Sequence, residues 1–216
     1  MSYKIHYFNA PGRAEVARLC LTFGGIPYED VHYTGETFPE AKPKMPFGQV
    51  PVLELPDGRM LAQSGAIDRY VAKLAGLYPQ DPLQAAFADQ AVFLANEFLE
   101  LLVTTMYLPT TEAKVSARQE LLAGKGGEKL RLLNKLLEPV ASGPAFIAGE
   151  QLCFADLTIF TMLSGLINGF LDGIPTTLLE NYPALKAFRN KVASEPRVKA
   201  HYEKHSEGRA TFKPDA

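Results

Sequence analysis

Tryptophan is absent and cysteine occurs only twice, as Cys20 and Cys153. No site in this chain can therefore use an indole N–H donor. The two cysteines lie far apart in different apolar surroundings, and neither belongs to a Cys-x-x-Cys pair. This argues against a dithiol redox motif or a disulfide, and for a reducing compartment. Four scattered histidines show no metal-ligand spacing, so no metal is expected. Apolar runs of the roughly 18 residues that span a bilayer are missing. The opening Met1-Ser2-Tyr3-Lys4-Ile5-His6-Tyr7-Phe8 lacks the apolar core of a signal peptide. An excess of one charge is missing as well: 22 Lys and Arg face 24 Asp and Glu, with 8 against 9 in residues 1–82 and 14 against 15 in the remainder. Neither nucleic acid nor a membrane surface is an expected partner. A cytoplasmic globular protein that meets a small molecule or another protein is what remains.

Hydropathy patterning divides the chain near residue 80. Tyr3 to Phe8 alternates Tyr3, Ile5 and Tyr7 against Lys4, His6 and Phe8, the period of a strand. Asn9-Ala10-Pro11-Gly12 interrupts it. Val16, Leu19, Cys20 and Phe23 then recur at helical spacing until Gly24-Gly25. Ile26 to Tyr33 reads as a second strand, and residues 34–46 as irregular with at most a short helix near 38–45. Val52, Leu53 and Leu55 form a buried strand, Pro56-Asp57-Gly58 a turn, and Met60-Leu61 the return. A helix follows from Ser64 to about Ala75, with Ser64 as its expected N-cap. The order β-α-β-α-β-β-α predicts a mixed four-stranded sheet with helices on both faces. Its first two strands should be parallel and its last two antiparallel.

After a Pro-bearing linker the pattern becomes helical. Phe87, Ala91, Leu94, Ala95, Phe98, Leu101 and Leu102 mark a helix across 84–108. A second ends with Leu132, Leu133, Leu136, Leu137 and Val140. Its earlier part holds Gly124, Gly126 and Gly127, each costing about 1 kcal/mol in a helix interior, so a break is expected there. The stretch from about Ala155 to Gly169 is apolar on nearly every side and belongs at the centre of a bundle. A last helix, Tyr182 to Ser194, is followed by a basic run that reads as a solvated face.

Two features of the hairpin look toward a ligand. Pro51 removes a ladder donor and holds Val50 extended; with a cis Val50–Pro51 bond the Val50 backbone is free to pair with a peptide-like molecule. Ser64 at a helix start offers N–H groups and a positive dipole end to a carboxylate. Tyr7 closes the first strand, where ligands bind in open α/β sheets, and Arg13 is close enough in sequence to brace the same place.

The runs Tyr7-Phe8-Asn9-Ala10-Pro11-Gly12-Arg13-Ala14-Glu15 and Phe38-Pro39-Glu40-Ala41-Lys42-Pro43-Lys44-Met45-Pro46-Phe47-Gly48-Gln49-Val50-Pro51, with Gln63-Ser64 after them, resemble the glutathione-binding segments of sigma-class glutathione S-transferases. The resemblance runs through the whole chain. It implies a thioredoxin-like domain over 1–76, a linker over 77–82 and an all-helical domain over 83–216. It also implies that Tyr7 donates its hydroxyl hydrogen to the glutathione sulfur and that Val50, before cis Pro51, pairs with the cysteinyl part. Gln63 and Ser64 would hold the γ-glutamyl group, Lys42 and Gln49 would lie near the glycine end, and Phe8, Arg13 and Phe38 would complete the site. Members are homodimers, and Glu97, with Asn96 as the second candidate, would reach the γ-glutamyl amine from the partner subunit. The electrophile site would draw on Phe8, Phe98, Leu102, Met106 and Tyr107. Glutathione is a cosubstrate rather than a bound cofactor.

Four departures qualify the likeness. Phe38 stands where many members have Trp, and Pro11 replaces the Arg common before the Gly. Cys153-Phe154-Ala155-Asp156 replaces a Ser/Thr-x-x-Asp capping box, with Cys153 a poor cap. Phe93, Asn96 and Glu97 occupy the positions where some prostaglandin D synthases of this class bind a divalent metal. The resemblance therefore implies a glutathione transferase moving alkyl or aryl groups. A glutathione-dependent isomerase or peroxidase is the near alternative, and a crystallin-like carrier the distant one.

Overall fold

The computed structural model describes residues 2–204 and 212–213. The chain forms two compact units, Met1–Tyr78 and Pro79–Ala216. Among the described residues no helix is long and apolar enough to cross a membrane.

The first unit opens with β1, Tyr3–Phe8, followed by a 3-10 turn at Gly12–Ala14 and α1, Glu15–Phe23. β2 is Tyr28–Tyr33, starting two residues later than the pattern predicts. The Ile26 N–H is bonded back to the Leu21 carbonyl at 2.9 Å to close α1, and Pro27 has no N–H to give a ladder. α2, Phe38–Ala41, and a 3-10 turn at Lys42–Lys44 occupy the segment predicted to be mostly irregular. β3, Val52–Glu54, and β4, Met60–Ala62, form the hairpin, and α3 covers Ser64–Leu74.

These strands make one sheet in the order β2-β1-β3-β4. β1 and β2 are parallel, while β3 is antiparallel to both β1 and β4. Alternation then sorts the side chains. Tyr3 and Ile5 share a face with Leu53, where the Tyr3 hydroxyl meets that of Tyr70 on α3 at 3.2 Å. Lys4, His6 and Val52 share the other face, where Val52 packs with Ala41, Met45 and Ala62. This is the mixed, two-faced sheet that the order of elements predicts.

The N-cap of α3 is a correction. Gln63 takes that place, its carbonyl accepting from the N–H groups of Ala66 and Ile67 at 3.0 Å each, and Ser64 is the first helical residue. Gln63 has φ +71°, a region that residues with a Cβ rarely enter.

In the second unit α4 runs Pro82–Thr104. Its N-cap Asp81 accepts from the N–H groups of Leu83 at 3.0 Å and Gln84 at 2.9 Å, and Pro82 fills the first position. A 3-10 turn at Thr105–Tyr107 extends it. The break predicted at the glycines separates α5, Thr111–Ala123, from α6, Lys125–Ala141. Gly127 is needed for closeness rather than for a kink: a Cβ there would collide with the Leu122 carbonyl oxygen. α7, Phe154–Leu166, is buried on every side from Phe154 to Ser164, as a central helix must be. α8 covers Pro183–Ala193, and α9, Pro196–Lys204, extends the helical count beyond the sequence pattern. Part of the basic run after it, residues 205–211, lies outside the described residues. Beyond α4 the only strand-like pairing among the described residues is an isolated bridge, Phe146 with Gly149.

Cys153 caps α7 better than its residue type predicts. Its backbone N–H donates to Asp156 Oδ2 at 2.8 Å, and its sulfur accepts from the Asp156 N–H. Asp156 Oδ1 also accepts from the Ile147 N–H at 3.0 Å. Both cysteines are buried and neither is in a disulfide, and burial followed by the Asp156 charge pushes the Cys153 thiol up.

One buried group on α3 opposes stability. Asp68 is 8% exposed, and its Oδ1 has no hydrogen-bond partner. Burial raises its carboxyl well above the ordinary carboxylate range, against a smaller opposing pull from Arg69. Its folded form thus binds a proton that the unfolded chain has already lost, so stability falls as pH climbs. This contribution is fully present below the ordinary value of 3.8 and is lost up to the folded pKa. Asp68→Asn is expected to abolish that part of the slope. Urea unfolding of both proteins from about pH 4 to 8 checks it; a constant difference between them contradicts the assignment.

Candidate active site

The sheet register gathers the residues that the sequence singles out. His6 on β1 lies opposite Val52 on β3, which lies opposite Ala62 on β4. Stepping one residue past that row reaches Tyr7, Pro51 and Gln63; stepping two reaches Phe8, Val50 and Ser64. Because the steps run forward on β1 and β4 and backward on the antiparallel β3, all six positions are at one end of the sheet. β2 adds Tyr33 there, in register with Phe8. The Val50–Pro51 bond is cis, and β3 pairing starts only at Val52, so Val50 lies outside the ladder.

Around Tyr7 the loop is built to fit. Gly12 has φ +46°, and a Cβ on it would lie 2.5 Å from the Tyr7 hydroxyl. That close approach lets the Arg13 N–H donate to the Tyr7 oxygen at 3.1 Å. With its oxygen accepting, the phenol keeps its own hydrogen to give elsewhere.

Arg18 secures the same loop and is a residue that the sequence reading passed over. It is buried on α1 and donates to Glu15 at 3.0 Å and to Asp30 at 2.9 Å. It also donates to the Ala10 carbonyl at 2.9 Å and the Pro11 carbonyl at 3.2 Å, with its guanidinium 6.0 Å from the centre of the Tyr7 ring. A Glu-x-x-Arg pair on the apolar side of a helix was the available signal.

On the α2 side, rings touch in series. Tyr7 meets Phe8 at 5.7 Å between centroids, Phe8 meets Phe38 at 5.4 Å, and Phe38 meets Tyr33 at 5.9 Å. Phe38, Tyr33 and Val50 all pack on the cluster of Ala41, Met45, Val52 and Ala62. Lys42 is exposed with its stem against Gly48, one residue before the exposed Gln49. Beneath this wall His6 is buried, with Nδ1 2.8 Å from the Tyr33 hydroxyl and Nε2 2.9 Å from Glu54 Oε2. The His6 bond, then Lys4 at 3.3 Å, holds the Glu54 carboxyl below its usual range. Burial, then the Glu54 charge, pushes the Tyr33 phenol up.

The helical unit treats its candidates unequally. Phe98 and Leu102 are 1% and 6% exposed, in the inward row of α4 with Ala88, Ala91, Val92 and Ala95. They are core residues and give a ligand no surface, which corrects the reading of α4 as a source of both. Met106 and Tyr107, at 38% and 84% exposed, remain accessible, as does Phe8 at 36%. Glu97 is exposed and ion-paired to Lys129 at 2.5 Å. Among the described residues no group of three His, Cys, Asp or Glu is placed to hold a metal ion.

Comparison with known proteins gives the following. Residues 3–73 match the family model for the glutathione S-transferase N-terminal domain, and residues 96–205 match one for the C-terminal domain. The chain is similar to a hematopoietic prostaglandin D synthase of Gallus gallus, 34% identical over 94% of this chain and 96% of that protein. It is equally similar to glutathione S-transferase 3 of Caenorhabditis elegans, 34% identical over 96% and 98%. Among solved structures it resembles the Fasciola hepatica sigma class GST, with a TM-score of 0.80, 28% identity and coverage of 94% and 96%.

Gly12→Ala tests the fit of the loop to Tyr7. Gly25 is the control, since it has φ +63° but open space where a Cβ would be. Both alanine variants carry the left-handed strain, roughly 1–3 kcal/mol. Gly12→Ala also forces the Tyr7 hydroxyl aside and is expected to melt lower than Gly25→Ala, by a few degrees for a chain of this size. Equal melting temperatures in calorimetry mean that the hydroxyl is not held where the geometry has it.

Proposed function

The chain belongs to the glutathione S-transferase family, and from that premise we propose that it binds glutathione at the Tyr7 end of the sheet and drives its thiolate onto hydrophobic electrophiles. The observation that carries the reading is the shared row His6, Val52 and Ala62, from which Tyr7, Val50 and Gln63-Ser64 all lie one or two residues away. One tripeptide can reach all three. Its cysteinyl backbone pairs with Val50, its γ-glutamyl carboxylate sits on the α3 N-terminus at Gln63 and Ser64, and its thiol points to Tyr7. Lys42 and Gln49 meet the glycine carboxylate, with Phe38 beside them and Arg13 bracing the loop.

The chemistry needs only a modest electrostatic effect. A thiol of pKa near 8.5 is a few per cent ionised at neutral pH, and the thiolate is the nucleophile. Lowering that pKa by about two units takes roughly 2.7 kcal/mol. A Tyr7 O–H donating to the sulfur supplies a charge-assisted bond of about the right size, strengthened because the Tyr7 oxygen is itself held by the Arg13 N–H. The thiolate then displaces a leaving group from an alkyl or aryl carbon, and the departing group carries the negative charge away. Phe8, next to Tyr7 and partly exposed, is the proposed apolar contact for that electrophile within the first unit.

The enzyme is proposed to be a homodimer, in which Glu97 on the exposed side of α4 leaves Lys129 to meet the γ-glutamyl amine of the partner's glutathione. Two buried cysteines outside any disulfide favour a reducing, cytoplasmic setting. A glutathione-dependent isomerase is the second reading, favoured by the likeness to a prostaglandin D synthase. Phe93 and Asn96, which stand where an acidic cluster would be, support the transferase over a metal-assisted isomerase.

Tyr7→Phe is expected to retain glutathione affinity, to raise the pKa of the bound thiol toward its free value, and to slow conjugation at neutral pH by about 100-fold. Thiolate absorbance of the binary complex and the pH–rate profile with an aryl halide measure both effects. An unchanged profile removes Tyr7 from the mechanism.

A further inference from the structure

α2 has four residues, and its N-cap Thr37 makes no side-chain capping bond. So short a helix is not stable by its own hydrogen bonds, and its placement must come from packing. One side of that packing is the cluster of Ala41, Met45, Val52 and Ala62; the other is the ring of Tyr33, which touches Phe38. Tyr33 is in turn fixed by a bond that is costly to leave unmade, because its partner His6 is buried at 7% exposure.

Glu54 is ionised and accepts from His6 Nε2–H at 2.9 Å, with Lys4 3.3 Å from its other oxygen. On its other side, His6 Nδ1 shares a hydrogen bond of 2.8 Å with the Tyr33 hydroxyl. Every polar atom in the series Lys4, Glu54, His6 and Tyr33 has a partner, and the series crosses β1, β2 and β3 just under the wall that holds Phe38 and Val50. His6 and Tyr33 rings are also stacked, at 6.0 Å and 17°.

We propose that His6 and Tyr33 are positioning residues for glutathione: their hydrogen bond locks the Tyr33 ring, which sets Phe38 and the Lys42–Gln49 turn at the glycyl end of the site. The inference rests on the glutathione reading above. It concerns affinity and leaves the thiol chemistry at Tyr7 untouched, since Tyr7 points to the opposite face of β1 from His6.

Tyr33→Phe removes one hydroxyl and keeps the ring; His6→Leu removes the other partner at similar volume; the double variant removes both. Each single variant is expected to raise the KM for glutathione about threefold to tenfold, the range of one hydrogen bond. The double variant should match His6→Leu, because the His6–Tyr33 bond is already lost there; His6→Leu also gives up its bond to Glu54. At saturating glutathione, kcat and the pKa of the bound thiol should equal those of the parent, and amide exchange over 37–45 should quicken. A Tyr33→Phe protein that melts lower yet keeps the parental KM overturns the inference, as do additive effects in the double variant. Should one variant fail to fold, the other single variant decides on the same KM criterion. A parent protein that does not bind glutathione overturns the site reading and this inference together; a binding parent with unaffected variants overturns the inference alone.

Discussion

Pairing of β1 with β2 on one side and β3 on the other sets the address of Tyr7 and Val50, between which the thiol of glutathione is proposed to lie. A slip of one residue in that register would carry Tyr7 to the α2 face and Phe8 to the α3 face. What prevents it is burial on both sides at once. Ile5 and Leu53 are 1% and 0% exposed on one face, and His6 and Val52 are 7% and 0% exposed on the other. Neither face tolerates the residues of its neighbour, since an exchange would bring a histidine and a glutamate against α1 and α3. The site is thus positioned by the ladder and needs no long-range charge to find its place.

The loop after β1 is held by a different kind of force. Arg18 is nearly enclosed, and a buried ion pair is poor evidence of net stability, because desolvation offsets most of the attraction. Removing one partner is another matter, with a cost on the order of 3–5 kcal/mol. The geometry explains what such a residue is for. Its two bonds to the carbonyls of Ala10 and Pro11 fix the chain just before Gly12, and Gly12 sets the amide that meets Tyr7. Pro11 supplies one of those carbonyls.

Local periodicity was enough to read β1 to its final residue, the hairpin, the break at Gly124 and the central place of α7. It failed where backbone bonds compete across an element boundary. Ile26 spends its N–H on α1, and Gln63 enters the left-handed region so that its own carbonyl begins α3. α9 was hidden because its composition is as charged as a solvated face. On α4 the apolar row does not say where core ends and surface begins, so Phe98 and Leu102 looked no different from Met106 and Tyr107. Tyr7, Val50 and Ser64 were legible as a group only through the likeness to a family. The bonds of His6 to Tyr33 and Glu54 join residues 27 and 48 positions apart, across three strands, and no local pattern carries them.

The two cysteines carry a consequence for a protein that handles electrophiles. Any electrophile able to alkylate the glutathione thiolate will also attack an accessible protein thiolate, and such self-modification would silence the catalyst in proportion to its own use. Cys20 and Cys153 are 0% and 4% exposed, and the Cys153 thiol is held in its protonated, unreactive form. The fold therefore separates the sulfur it activates from the sulfur it owns: the reactive thiolate arrives as a diffusible molecule and leaves with the damage attached to it.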